Sequence, residues 1–202
     1  GVPRVGTAHP AEGNLALLRK CGLNIGPICN EYVLPEDALD EARRFLAENK
    51  LDSARPTLFL QPFTSTAHKN WPLENFLKLA RHWQSQGMQV IFGGGPVDRA
   101  PLEPARAAGF PISAGGPLLG TGGLMKLSTL VIGGDTGLLH LAVAMGRRVV
   151  MIMRCRRSAP TTFPFQHLDW AVVALAGQPI TSVEVGAVLE AGERALRNVC
   201  KI

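Results

Sequence analysis

Apolar residues recur along this chain in two rhythms. Short unbroken runs fall at Leu58–Leu60, Val90–Phe92, Val131–Ile132, Val149–Met153 and Ala171–Leu175. Runs of that length, rich in Val, Ile and Leu and bounded by turn residues, read as strands buried on both faces. Between them apolar positions return every three or four residues over Leu73–Gln86, Asp98–Ala108, Thr136–Met145 and Ser182–Arg197, which predicts helices. A weaker strand near Ile112 and a weaker helix at Leu124–Leu127 fill the longest gap. Strands alternating with helices imply βαβ units. The expected class is α/β, a Rossmann-like open parallel sheet with helices on both faces, over residues 57–202. Thr181 and Glu184 have the spacing of a capping box and are expected to open the last helix.

Residues 1–56 read as a helical and linker segment leading into that domain. Asn14 to Lys20 forms a short helix that Gly22 ends, and Pro35 introduces a second over Glu36–Asn49. The stretch Leu51–Pro56 reads as a polar linker. The chain begins at Gly1 rather than at a methionine, as a fragment of a longer protein would.

Composition narrows the function classes. A hydrophobic content of 46% against 18% charged residues excludes a disordered chain and leaves a well-cored domain. The net charge of +5 suits an anionic small ligand or an acidic membrane surface, but is too small to argue for nucleic acid. Cys21, Cys29, Cys155 and Cys200 show no metal-ligand spacing, so reduced thiols, a cytoplasmic setting and no metal are expected. No apolar run reaches the length of a membrane span.

In an open parallel sheet, ligands bind beyond the carboxyl ends of the strands. The chemistry is therefore sought after Leu60, Phe92, Ile132 and Met153. The first loop, Gln61 to Pro72, carries Thr64, Ser65, Thr66 and Lys69, whose hydroxyls and ammonium suit phosphate oxygens. It lacks Walker A spacing, and a solvated Ser/Thr-rich loop is the alternative. Trp71 in it reads as a packing residue. In the second loop, Gly93-Gly94-Gly95-Pro96-Val97-Asp98, Asp98 either accepts from a ribose or caps its own helix.

The third loop, Gly133-Gly134-Asp135-Thr136-Gly137, opens a helix that carries His140 four residues after Thr136. The unpaired N–H groups of a helix start favour an anion. An ordinary turn capped by Asp135 or Thr136 is the plainer reading. The fourth loop, Arg154 to Pro164, joins Arg147, Arg148, Arg154, Arg156 and Arg157 into a basic cluster, either an anion or partner contact or a solvated face.

Taken together, Asn14-Leu15-Ala16-Leu17-Leu18, Thr64-Ser65 with Lys69-Asn70-Trp71-Pro72, Gly93-Gly94, and Asp135-Thr136-Gly137-Leu138-Leu139-His140-Leu141-Ala142 resemble glycosyltransferase family 9, the ADP-heptose:lipopolysaccharide heptosyltransferases. The likeness covers about Asn14 to Met153. It implies one half of a two-domain GT-B enzyme, the carboxy-terminal half that binds the nucleotide-sugar. By position, Thr64, Ser65 and Lys69 would hold the diphosphate with the amides of Thr136 and Gly137. Asp135 would contact sugar hydroxyls, Asp98 the ribose, and His140 would lie near phosphate and sugar. Lys69, Asp135 and His140 are thus the implied catalytic set.

The implied reaction is an inverting transfer from ADP-heptose or a similar ADP-sugar, in lipopolysaccharide core biosynthesis, with no cofactor and no metal required. A lipid A-core acceptor and the general base would belong to an amino-terminal domain, with peripheral contact at the inner face of the inner membrane. This chain alone would bind donor without turnover. Two departures, Met153-Arg154-Cys155-Arg156-Arg157 in place of a glycine-rich turn and the glycine-rich Pro117–Gly123, are expected to bear on which nucleotide or sugar is accepted. A non-catalytic nucleotide-binding module of the same fold is the competing reading. An NAD-type dehydrogenase is disfavoured, because no G-x-G-x-x-G opens a helix after a strand.

Overall fold

The computed structural model describes residues 9–26, 30–154 and 162–197. Its elements are α1 (Pro10–Lys20), α2 (Glu36–Glu48), β1 (Thr57–Gln61), α3 (Leu73–Ser85), β2 (Gln89–Gly94), α4 (Glu103–Ala107), β3 (Ile112–Ala114), α5 (Leu118–Leu127), β4 (Leu130–Gly134), α6 (Gly137–Ala144), β5 (Arg148–Met153), β6 (Ala171–Val173) and α7 (Val185–Arg197). The six strands form one parallel sheet in the order β3-β2-β1-β4-β5-β6. That is the Rossmann order, and it reverses direction between β1 and β4.

The apolar runs serve two cores at once, because successive side chains of a strand point to opposite faces. Leu58, Leu60, Val90, Phe92, Leu130, Ile132, Val150 and Ile152 pack on one face with Phe76, Leu79 and Trp83 of α3 and Val188, Ala191 and Ala195 of α7. Phe59, Ile91, Val131, Val149, Met151 and Met153 pack on the other with α2, α5 and α6. Ala38, Ala42 and Leu46 of α2 belong to that second cluster, so the segment 1–56 contributes part of the sheet's own core.

Four helices differ from the sequence reading, the first because it begins at Pro10 rather than Asn14. The helix expected over Asp98–Ala108 is a 3₁₀ turn at Pro96–Asp98 followed by the short α4. Pro101 would clash with the turn before it, and neither Pro101 nor Pro104 has an N–H for the helix ladder. The weak helix at Leu124–Leu127 begins at Leu118, through the glycine-rich stretch that was expected to bear on donor choice. Gly120 and Gly123 face α2, and Gly122 packs against Leu34 and Leu141. A Cβ on Gly123 would run into the Ala38 carbonyl oxygen and stand 3.0 Å from Ala42 Cβ, and one on Gly120 would meet the Glu41 carboxylate at 2.6–2.7 Å. Their helix-propensity cost is exchanged for a close α2–α5 approach.

The last helix begins at Val185, not at Ser182, and the Thr181–Glu184 capping box does not open it. Ile180–Ser182 makes a 3₁₀ turn instead, and extended Val183 accepts a hydrogen bond from Trp71 Nε1 at 2.9 Å. Trp71 is buried, edge-on to Phe76, as its packing role requires. Among the described residues no helix is long and apolar enough to cross a membrane.

Candidate functional site

Two loops separated by about seventy residues in sequence meet where the strand order reverses. β1 and β4 are neighbours in register, Gln61 beside Gly133. The glycines ending β4 let the loop after β1 fold across it. A Cβ on Gly134 would stand 2.6 Å from Thr64 Cγ2 and 3.3 Å from the Lys69 carbonyl oxygen. Asn70 shapes that loop from within, its Oδ1 accepting from the Thr64 N–H at 2.8 Å and the Thr64 hydroxyl at 2.9 Å. The Thr66 N–H in turn donates to Thr64 Oγ1 at 3.2 Å. A 3₁₀ turn over Ala67–Lys69 then presents Lys69.

Lys69 Nζ donates to Asp135 Oδ2 at 2.8 Å. The Asp135 side chain is 14% exposed and that of Lys69 39%, so the pair is rooted in the protein on one side and open to ligand on the other. His140 Nε2 lies 3.6 Å from Asp135 Oδ1, too long for a hydrogen bond, and attracts the carboxylate only as imidazolium. His140 and Lys69 hold Asp135 below the usual carboxylate range, against a burial that pushes it up.

Thr136 takes the N-cap position of α6 in extended backbone, yet its side chain makes no capping bond. Its hydroxyl oxygen is buried without a partner. The helix start beside Asp135 therefore has a polar atom to offer that the protein itself does not use. Gly137, at the first turn, is exposed.

A cavity of about 370 Å³ opens from this pair toward β6, lined by His68, Lys69, Asp135, Ile152, Met153, Arg154, Gly177, Gln178 and Ile180. Of the residues singled out from sequence, Lys69, Asp135 and Arg154 line it directly, with Thr136 next to Asp135 in the chain and His140 near it in space. Ser65 is exposed on the β1 loop. Asp98 lies elsewhere, beyond β2 on the far side of β1. Its Oδ2 accepts from the Gly95 N–H at 2.7 Å, closing its own turn rather than capping α4.

The basic cluster divides. Arg147 and Arg148 stand where β5 begins, with Arg147 Nη1 donating to the Lys126 carbonyl at 3.3 Å, whereas Arg154 follows its last residue. Six residues of strand put them about 20 Å apart, at opposite ends of the sheet. Arg156, Arg157, Cys29, Cys155 and Cys200 fall outside the described residues. Among the described residues no group of three His, Cys, Asp or Glu side chains is placed to hold a metal ion.

The sequence reading assigns no role to Asn70, His68, Gly177, Gln178 or Ile180. Gly177, Gln178 and Ile180 follow the last strand, and the rule that led to the other loops applies there too. The apolar run extends to Leu175, whereas β6 ends at Val173 and a turn follows at Ala176–Gly177. His9 is a further neighbour. It accepts from the Ala11 N–H through Nδ1 at 3.2 Å, capping α1, and its ring stands 4.8 Å from that of Phe165. Burial, and then the nearby His140, lower its pKa below the ordinary histidine value.

Solved structures share this architecture. A glycosyltransferase family 9 protein from Veillonella parvula DSM 2008 matches with a TM-score of 0.83 at 19% identity, over 94% of this chain and 60% of its own. The Escherichia coli ADP-heptose lps heptosyltransferase II matches with a TM-score of 0.71 at 23% identity, over 86% of this chain and 55% of its own. E. coli heptosyltransferase WaaC with ADP-2-deoxy-2-fluoro heptose gives 0.63 at 20% identity, over 88% and 52%. The chain thus spans between about half and 60% of the length of these structures. No curated protein matches it significantly. Residues 9–179 match the family described as glycosyltransferase family 9 (heptosyltransferase), and the chain belongs to that family.

Proposed function

We propose that this chain is the donor-binding half of an inverting heptosyltransferase-like enzyme, taking an ADP-sugar such as ADP-heptose at the β1/β4 crevice. The observation that carries the reading is the 2.8 Å contact of Lys69 with Asp135, made across the switch point and beside the start of α6. Lys69 supplies a point charge to the diphosphate, while the α6 amides and the Thr136 hydroxyl supply hydrogen bonds. Ser65 contributes from the β1 loop, and Thr64 acts mainly by shaping that loop with Asn70. The nucleoside extends toward β2, where Asp98 receives the ribose, and Asp135 and His140 meet the sugar.

In the transfer, an acceptor hydroxyl oxygen forms a bond to the anomeric carbon as the bond from that carbon to the diphosphate oxygen breaks. The electron pair leaves on ADP, and the acceptor proton passes to a base in the other half of the enzyme. Charge grows on the leaving diphosphate, so donors fixed in advance stabilise the transition state more than the bound substrate. α1 supports a second half on this side. It buries none of its residues and exposes Leu17 and Leu18, while His9 ties its start to the neighbourhood of His140. The acceptor is a lipid A-core type molecule at the inner membrane face, and the setting is cytoplasmic.

Calorimetric titration of the chain with ADP, UDP and ADP-heptose tests the reading. Binding of ADP and ADP-heptose, with chemical-shift changes centred on Lys69 and Thr136, is expected. A folded chain that binds no nucleoside diphosphate refutes it.

A further inference from the structure

The cavity beyond the Lys69–Asp135 pair contains a charge that the pair leaves unbalanced. Arg154 lines the same cavity as Lys69, and among the described residues no hydrogen bond or carboxylate engages it. The charge of Lys69 is already matched by Asp135 at 2.8 Å. A diphosphate entering between β1 and β4 therefore meets one balanced pair and one free guanidinium, so most of the pocket's net positive charge resides at Arg154. Ile152, Met153 and Ile180 give that side an apolar wall, and Arg154 at its rim is exposed, so its guanidinium is accessible to an incoming anion.

The spacing is right for two cations to share one anion. β1, β4 and β5 are consecutive in the sheet, so the loops carrying Lys69 and Arg154 start about 10 Å apart at the usual inter-strand distance. Both side chains are long enough to meet over the strand between them. A guanidinium offers a planar fork that grips two phosphate oxygens at once, which an ammonium does not.

We propose that Arg154 is the second cation on the donor's diphosphate, closing on it from the β5 side opposite Lys69. The proposal rests on the donor-binding reading above and extends it to a residue at the end of β5. Lys69 would then be shared between ligand and carboxylate, and Arg154 would supply the charge that holds the diphosphate outright.

The test is calorimetry on the wild-type chain, Arg154→Gln and Arg154→Lys, with ADP, AMP, adenosine and inorganic pyrophosphate as ligands and thermal melting as the check on folding. Arg154→Gln should weaken ADP and pyrophosphate by about tenfold or more, AMP by less and adenosine not at all. Arg154→Lys should recover part of the loss. Unchanged ADP and pyrophosphate affinity in Arg154→Gln overturns the proposal, and so does an equal loss for adenosine, which would mark a structural role. Wild-type chain that binds pyrophosphate through Arg154 but not ADP upholds the proposal and refutes the adenine-nucleotide reading. Wild-type chain that binds neither refutes both.

Discussion

Replacing Lys69 with alanine and Asp135 with asparagine should move ADP affinity in opposite directions. Lys69→Ala removes a charge-assisted hydrogen bond to the diphosphate, a loss of about 1.5–3 kcal/mol or roughly 10- to 150-fold in Kd. Asp135→Asn keeps the side chain's shape and takes away the carboxylate that sits 2.8 Å from the ammonium. A carboxylate and a phosphate about 6 Å apart repel by roughly 0.7–3 kcal/mol for effective dielectric constants between 80 and 20. Because Lys69 is 39% exposed, the low end applies. Asp135→Asn should tighten ADP by about 1 kcal/mol, roughly fivefold, and the double variant should fall between the two singles.

The pair itself adds at most about 1 kcal/mol to stability at that exposure, so both variants should melt within about 4 °C of the parent. Affinity changes then report on the site rather than on folding. Isothermal titration of ADP into the four chains at fixed ionic strength is the measurement. If Asp135→Asn weakens ADP as much as Lys69→Ala does, the carboxylate is a brace for the loop and not a charge set against the ligand. If Lys69→Ala leaves ADP affinity unchanged, the diphosphate does not lie at the crevice.

Two further expectations concern stability. Gly123→Ala should lower the melting temperature by about 4–8 °C, since overpacking against Ala38 costs about 1–3 kcal/mol and outweighs the gain in helix propensity. Gly186→Ala in α7, with nothing within 4 Å of its added Cβ, should instead raise it slightly, and equal effects at the two sites would refute the close-approach account of α5. Burial lowers the pKa of His9 and of His167, the latter stacked on Trp170 at 3.7 Å, so the unfolded chain takes up their protons more readily. Their contribution is whole above about pH 6.5 and falls as pH drops toward the folded values, whereas that of Asp135 persists down to about pH 4. Denaturant midpoints at pH 7.5, 6 and 5 should decline, and less steeply with His9→Gln and His167→Gln combined; identical slopes in the two chains would sink the assignment.

The elements that could be read along the chain are those whose cause is local. β1, β2, β4 and β5 are short apolar runs because both faces are covered, and α2 and α3 show a 3.6-residue rhythm because one side meets the sheet. The misread helices are those where tertiary contact overrides local preference. α5 is helical through Gly120 and Gly123 because α2 needs the room, and α7 starts late because Val183 is held by Trp71 from 112 residues away. Prolines 101 and 104 were a local signal that the apolar rhythm of 98–108 obscured.

The site divides along the same line. Lys69 and Asp135 were visible because each sits on a turn just after a strand, but nothing local says that those two strands are neighbours. Strand order supplies that. Had β5 stood next to β1, Arg154 would face Lys69 directly and Asp135 would lie a strand away, from an equally regular pattern of runs and turns. The roles of Asn70 and Gln178 stay unread for a related reason: an amide in a polar loop has no assignable function until the loop's fold gives its oxygen or its N–H a direction. What the order β3-β2-β1-β4-β5-β6 adds is a charge arrangement, a matched pair at the reversal point and, one strand beyond β4, a guanidinium that no described residue pairs. Such an arrangement attracts an anion only from the open side of Lys69, because on the buried side the carboxylate already occupies it. The direction from which a diphosphate can enter is therefore fixed by Asp135 as much as by either cation.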